Sequence, residues 1–268
     1  MSYLFIFLLY YDALEEIENN IPIENNNEFD FNFTVVYSIY SISNTNQFCN
    51  TYNHDNKYNG LKLGQCIQIY DGMYNIPWMI AGFDCEADNI ADDGNPNNNG
   101  YGICLIPRTT LLEAVWDDDN NNAVPYINSS IHNTCGSVGN RLRNVLGSHL
   151  IKRNVLLSSK INTDSTGRSS AYTWTTSYCE ILTTNQIIGR MDSGTGNRYD
   201  KGEANYKLPV YNEINFTKYS ANDGAFIYWI RERNSGYAYH TAAMNGFGSI
   251  SSSPVVFTQN LNPMIYIR

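Results

Sequence analysis

Positive charge is what this sequence has least of. Its 17 Lys and Arg face 26 Asp and Glu, a formal net charge of −9, and only 16% of the residues are charged. A nucleic-acid surface needs clustered cations. The one local group, Arg141, Arg143, Lys152 and Arg153, is interleaved with Leu142, Val145 and Leu146, the pattern of a solvated helix edge rather than a phosphate track. No nucleic-acid partner is expected. Long apolar runs are missing as well. The strongest, Leu4 to Tyr11, spans eight residues, too few to cross a bilayer, and no Lys or Arg precedes it as in a signal peptide. Membrane insertion is not expected, and that run reads as an element packed on a partner protein or on the chain's own core.

Paired cysteine motifs are absent too. Cys49, Cys66, Cys85, Cys104, Cys135 and Cys179 lie far apart, with no CxxC and no Cys/His spacing suited to zinc. Without a secretory signal to imply an oxidising history, free and mostly buried thiols are expected, with Cys66 and Cys104 acting as small hydrophobes. The sequence also lacks a Gly-x-Ser-x-Gly elbow and an HExxH pair. Its Gly194-Thr195-Gly196-Asn197 has neither the flanking elements nor the Gly-Lys-Ser/Thr ending of a phosphate loop. Of the four histidines, His54 falls in a polar stretch and His240 on an expected strand. His132 and His149, 17 residues apart, straddle an expected helix and are read as hydrogen-bonded packing residues. No catalytic residue and no enzymatic activity is expected.

What the chain does have is 37 Asn and 21 Tyr. Asn favours turns, Tyr and Thr favour strands, and together with Ser and Gly they make adaptable contact surfaces. The order of elements follows. Phe29 to Tyr40 alternates as a strand, a polar Asn/Thr/His stretch runs from Ser43 to Asn59, and Tyr58-Asn59-Gly60 marks a boundary. Residues 1–60 are expected to be an attachment or oligomerisation segment and residues 61–268 a domain. In the domain, Cys66 to Tyr70 and Trp78 to Phe83 form a hairpin around an Asp71-Gly72 turn, and Tyr101 to Ile106 is the next strand. Ser129 caps a short helix carrying Ile131 and His132. A second helix starts near Ser137, with Val138, Leu142, Val145 and Leu146 at helical spacing and Gly147 as its stop. Asn154 to Leu157 is a buried strand, and Ala225 to Arg231, Tyr237 to Ala243 and Met264 to Arg268 are further strands. Short strands, two modest helices and long loops make an α+β domain, and loops of such length raise the prospect of binding.

Two regions carry candidate sites. The acidic loops, from Asp84 through Asp88, Asp92 and Asp93, and from Asp117 to Asp119, supply the oxygen ligands that Ca²⁺ prefers, without EF-hand spacing. No metal is expected; Asp88, Asp92, Asp93, Asp117 and Asp119 are the positions at which Ca²⁺ would be sought. The aromatic stretch Trp229, Tyr237, Tyr239, His240, Phe247 and Phe257 is laced with Asn234, Ser235, Asn245 and several serines. It suits a ligand face, in which aromatic rings stack on sugars and amides reach their hydroxyls, as well as it suits an ordinary β-core with polar turns. Tyr237, Tyr239, Asn245, Phe247 and Asn234 are the candidate ligand-binding residues.

Several ordered motifs carry a resemblance. They include Trp78 to Asp84, Asn99-Gly100-Tyr101-Gly102-Ile103-Cys104-Leu105-Ile106-Pro107, Ser129 to His132, Leu146-Gly147-Ser148-His149-Leu150, Asn154 to Ser159, and Tyr199 to Pro209. From about Lys62 to its end the chain is similar to bacteriophage virion proteins with a C-type-lectin-like carboxyl domain. The resemblance implies a lectin-like fold displayed on the particle as a head fibre, decoration or tail-tip module, with a receptor-binding face in the last strands and loops. The implied partners are other virion subunits and a host-cell glycan or protein, in a homo-oligomer at the virion surface. A structural decoration protein that touches only virion subunits is the alternative. Two departures stand out: where the family carries Trp-Leu-Arg and Val-Arg-Pro this chain has Trp229-Ile230-Arg231 and Leu261-Asn262-Pro263, so the second cation is missing.

Overall fold

Apolar residues recur at two periods along the chain, and its elements follow them. The computed structural model describes residues 34–85, 101–109, 111–117, 124–161, 169–183, 186–187, 207–213, 228–233, 240–244, 250–254 and 256–268. The chain divides into Met1–Phe31 and Asn32–Arg268, and all that follows concerns the second unit.

Strand β1 (Val35–Ile39) leads into helix α1 (Ile42–Thr51), which returns the chain to β2 (Cys66–Tyr70), parallel to β1. The polar stretch from Ser43 to Asn59 thus begins within a helix. The Ser41 hydroxyl caps it by accepting the Asn44 N–H at 3.2 Å, and Thr45, Phe48 and Cys49 form a narrow buried stripe among surface amides. Ile39, Phe48 and Tyr58 lie in the main hydrophobic core. The Tyr58-Asn59-Gly60 turn is therefore no domain boundary; residues 34–60 are part of the folded unit, because their apolar side chains complete its core.

The expected hairpin joins β2 to β3 (Asn75–Phe83), with Tyr70 opposite Asn75 and Cys66 opposite Met79. Asp71 builds the turn: its Oδ1 accepts the N–H groups of Met73 and Tyr74 at 2.9 and 2.8 Å, while Gly72 takes a φ of 93°. Strand β4 (Ile103–Pro107) pairs with β3, and β5 (Leu112–Val115) follows. The two expected helices are one, α2 (Ser130–Leu146). The Ser129 hydroxyl accepts the His132 N–H, and Gly147, with φ 59°, closes the far end. Cys135 and Gly139 continue the apolar stripe between Ile131 and Leu142, so nothing interrupts the helix.

Strands β6 (Arg153–Ile161) and β7 (Ser169–Ser177) form a separate two-stranded ribbon. β7 lies in a Ser/Thr-rich segment that reads as a spacer by composition; its Thr, Tyr and Trp residues suit a strand once β6 lies beside it. Then come β8 (Glu180–Ile181), β9 (Tyr228–Arg233), β10 (His240–Met244), β11 (Ile250–Pro254), β12 (Thr258–Leu261) and β13 (Pro263–Ile267). The larger sheet has the order β1-β2-β3-β4-β13-β8, and a second has the order β11-β10-β9-β12-β5. The unit mixes helices and sheets as expected, an α+β architecture.

The larger sheet is covered on both faces, which explains its continuous apolar strands. Ile103, Leu105, Ile265 and Ile267 face a core shared with α1 and α2. Cys104, Ile106, Met264 and Tyr266 face a second core with Leu182, Leu208 and Ile230. The sulfurs of Cys85 and Cys104 are joined as a disulfide, against the expectation of a free thiol at Cys104. β3–β4 pairing sets Cys104 opposite Gly82, and a Cβ on Gly82 would meet the Cys85 sulfur at 2.8 Å. Cys49, Cys66, Cys135 and Cys179 are free and buried, and burial pushes the Cys49 and Cys66 thiols up to about 12.

Candidate functional site

Asn234, Tyr237, Tyr239, Asn245 and Phe247, the expected ligand face, lie outside the described residues, as do Asp88, Asp92, Asp93 and Asp119. The strands that flank the five are informative. β10 runs antiparallel to both β9 and β11. Arg233 and His240, which flank the first three, and Met244 and Ile250, which flank the other two, therefore stand at opposite ends of β10. Those ends are about 14 Å apart at the usual rise per residue. Asp117 is described and nearly buried, with the Ser130 hydroxyl 3.5 Å from its Oδ1. Among the described residues, no three His, Cys, Asp or Glu side chains are grouped to hold a metal ion.

A different surface emerges where α1 ends. Asn53 and Asn56 exchange bonds, the backbone N–H of each donating to the side-chain oxygen of the other at 3.1 Å. The Asn53 amide also donates to the carbonyls of Cys49 and Asn50, and the Asn56 amide to that of Thr51. Lys57, Tyr58 and Asn59 then take φ values of 53°, 56° and 46°, a left-handed turn that ends in Gly60. Three non-glycine residues in that region cost roughly 3–6 kcal/mol together, from about 1–2 kcal/mol each.

Tyr58 holds the turn in place. It is buried, its ring stacks on Phe83 at 4.6 Å, and its hydroxyl donates to Asp84 Oδ1. Burial, and then the bond to Asp84, raises the Tyr58 phenol. Asp84, itself at φ 54°, also accepts the Gly102 N–H at 2.8 Å through Oδ1 and faces His54 Nδ1 at 2.9 Å through Oδ2. The His54 imidazole lies flat on Tyr101, with centroids 3.5 Å apart and planes within 5°. The His54 side chain is 40% exposed, and Tyr101 as a residue 36%. Strain of this kind persists only where the surroundings over-determine it, and it concentrates at functional sites. The result is a rigid patch of amides and stacked rings facing solvent. No local signal links His54 to Asp84 in the sequence, where one belongs to a polar stretch and the other to an acidic loop.

A second cluster lies in the interior, reaching the surface through His132, whose side chain is 22% exposed. Glu180, 1% exposed, accepts the Tyr126 hydroxyl at 2.6 Å and pairs with His132 Nδ1 at 3.1 Å. Burial alone would push the Glu180 carboxyl up, but the bond to His132 and its charge, then the Arg231 charge, hold it below the usual range. Burial pulls the His132 imidazole down, and the bond and charge of Glu180 outweigh it, leaving His132 raised. Arg231 is buried as well, and its backbone N–H donates to the Leu182 carbonyl at 2.9 Å. The cluster ties α2 and the Tyr126–Asn128 turn to β8 and β9, and it offers little access to a substrate. The chain matches no protein-family model, no curated protein and no solved structure.

His149 also serves packing. Its Nδ1 faces the Arg268 carbonyl and its Nε2 the Asn46 side-chain oxygen at 2.9 Å, tying the last residue of the chain to α1. His132 and His149 thus both sit in hydrogen-bonded packing positions. Arg141, expected on a solvated helix edge, instead grips the hairpin: its Nε donates to Asp71 Oδ2 at 2.9 Å and its guanidinium lies over the Tyr74 ring. Neither Glu180 nor Arg231 was legible as a partner of His132, because 48 residues separate His132 from Glu180 and no motif spans the gap.

Proposed function

We propose that this chain is a non-enzymatic surface protein of a bacteriophage particle whose α+β unit, of the C-type-lectin-like kind, binds a host-cell glycan or protein. The observation that carries the reading is the turn at 53–60. A protein that spends several kcal/mol to hold an Asn-rich, aromatic surface loop in one conformation has prepaid an ordering cost that recognition would otherwise incur. Asn and Tyr are also enriched in adaptable paratopes. The interior ion cluster, by contrast, serves cohesion.

The test is binding of the full chain to a glycan array and to bacterial cells. Binding that weakens for His54→Ala or Tyr101→Ala supports the reading. If neither glycans nor cells bind, while the chain attaches tightly to purified particles that lack it, the adhesin reading falls. A second reading, a decoration protein that contacts only virion subunits, has its own support. Ile39 pairs with Ile69, which sets Tyr40 beside Tyr70, and with Ile42 and Met73 these are exposed apolar side chains around one end of β1 and β2. Such a cluster suits a neighbouring subunit.

A further inference from the structure

Three of the four tryptophans, Trp78, Trp116 and Trp229, are at most 1% exposed, whereas Trp174 is 57% exposed. It stands on β7 directly opposite Leu156 of β6. The ribbon turns Val155 and Leu157 into the main core, so the alternate positions form its outer row. That row reads Asn154 opposite Thr176, Leu156 opposite Trp174, and Ser158 opposite Tyr172, with Ser158 buried and the open part centred on Trp174. None of these six is charged. Of the nearby cations, Arg143 and Lys152 sit over the Tyr178 ring, at 5.1 and 5.3 Å, while β6 itself carries buried Arg153 at one end and exposed Lys160 near the other.

We infer that the outer face of the β6–β7 ribbon is a carbohydrate-binding platform on which one sugar ring stacks against Trp174. The inference goes beyond the proposed binding function, since it assigns a site apart from both the 53–60 turn and the expected ligand loops. The indole leaves roughly 90–140 Å² in water, given the area that an aromatic side chain normally buries. An apolar sugar face matches that area and dispenses with charge. Along β7, Tyr172 and Thr176 stand about 7 Å on either side of Trp174. Of these, exposed Thr176 offers a hydroxyl at the distance where a ring substituent ends.

Size argues against a protein partner. A ribbon of two nine-residue strands presents a face of roughly 30 by 10 Å, about 300 Å² from the usual strand rise and spacing. A stable protein interface needs about 800 Å² on each side. One sugar on one indole needs no more than the ribbon has.

The buried state of the other three indoles makes the test direct. Acrylamide quenching of the full chain reports Trp174 alone, and the probes are the β-1,4-linked N-acetylglucosamine tetramer, maltohexaose and mannohexaose. We expect at least one of them to protect Trp174 saturably. By calorimetry, Trp174→Ala should weaken that binding about tenfold or more, as loss of one stacking contact implies. Trp174→Phe, which keeps a ring, should recover part of it. Because the side chain is largely exposed, both variants should keep the wild-type urea midpoint and near-ultraviolet circular dichroism. Failure of all three probes to protect Trp174 at 10 mM-scale concentration, about the weakest binding of interest, overturns the inference. So does binding that Trp174→Ala leaves intact. Cell binding that is lost in His54→Ala but unchanged in Trp174→Ala would preserve the proposed function and sink this site alone.

Discussion

Replacing Glu180 by Gln keeps the shape of a fully buried side chain and removes its charge. Tyr126 can still donate to the amide oxygen. Protonated His132 is then left without an acceptor of negative charge, and Arg231, 5% exposed, loses the nearby charge of Glu180. Removing one partner of a buried pair costs about 3–5 kcal/mol. For a unit of this size that lowers Tm by about 6–20 °C, at about 2–4 °C per kcal/mol. The pH dependence supplies a sharper signature. Glu180 is held below its ordinary 4.5, so its contribution is present above that value and is lost as pH falls through the folded value. His132 is held above its ordinary 6.5, so its contribution is full below 6.5 and fades as pH rises through the folded value. The pair is therefore worth most between those two ordinary values. In Glu180→Gln only burial and the Arg231 charge act on His132, and both lower it. The variant should then gain stability with rising pH where the wild type loses it. Urea unfolding of both proteins between pH 5 and pH 8 measures the gap. The reasoning is refuted if the gap near pH 6 is under about 1 kcal/mol, well short of the expected cost of a broken buried pair, or if it does not narrow at pH 8.

Gly102→Ala would place a Cβ 2.5 Å from the Ile267 carbonyl oxygen and 2.7 Å from a Tyr266 ring carbon, both in a buried central strand. Overpacking of that kind costs about 1–3 kcal/mol or more, to be read as a lower urea midpoint; an unchanged midpoint would contradict the close approach of β13. Ser129→Ala removes the cap of α2, together with the bond that the hydroxyl donates to the Tyr126 carbonyl at 2.6 Å, and should cost about 1–2 kcal/mol, read as a lower urea midpoint. Deleting residues 1–31 should leave the far-ultraviolet circular dichroism of the remaining unit intact, because the second unit begins at Asn32. If 1–31 is the attachment segment, the truncated protein should also fail to join particles.

Much of the local structure was legible because its causes are local. Ser129 and Gly147 bracket α2, Asp71-Gly72 turns the first hairpin, and the unbroken run Ile103 to Ile106 announces a strand buried on both faces. Misreadings arose where a short apolar stripe was diluted by polar residues, as in α1 and β7, or where one helix was read as two, the second starting near Ser137, although Cys135 and Gly139 continue a single buried face. Tyr58-Asn59-Gly60 is a turn, as read, yet whether a turn separates domains depends on what its flanks pack against. In the structure they pack on one core.

The sequence by itself determined the α+β class, most strands of the larger sheet, the two ends of α2 and the charge-poor, amide-rich composition, since propensity, capping and periodicity act over a few residues. Tertiary structure alone decided the rest. It set β13 between β4 and β8, joined Cys85 to Cys104, brought Tyr126, His132, Glu180 and Arg231 together, and stacked His54 on Tyr101. It also left Trp174 outside while burying the other three indoles. Each of these depends on strand order and register between segments far apart in the chain, and no short window of sequence carries that information.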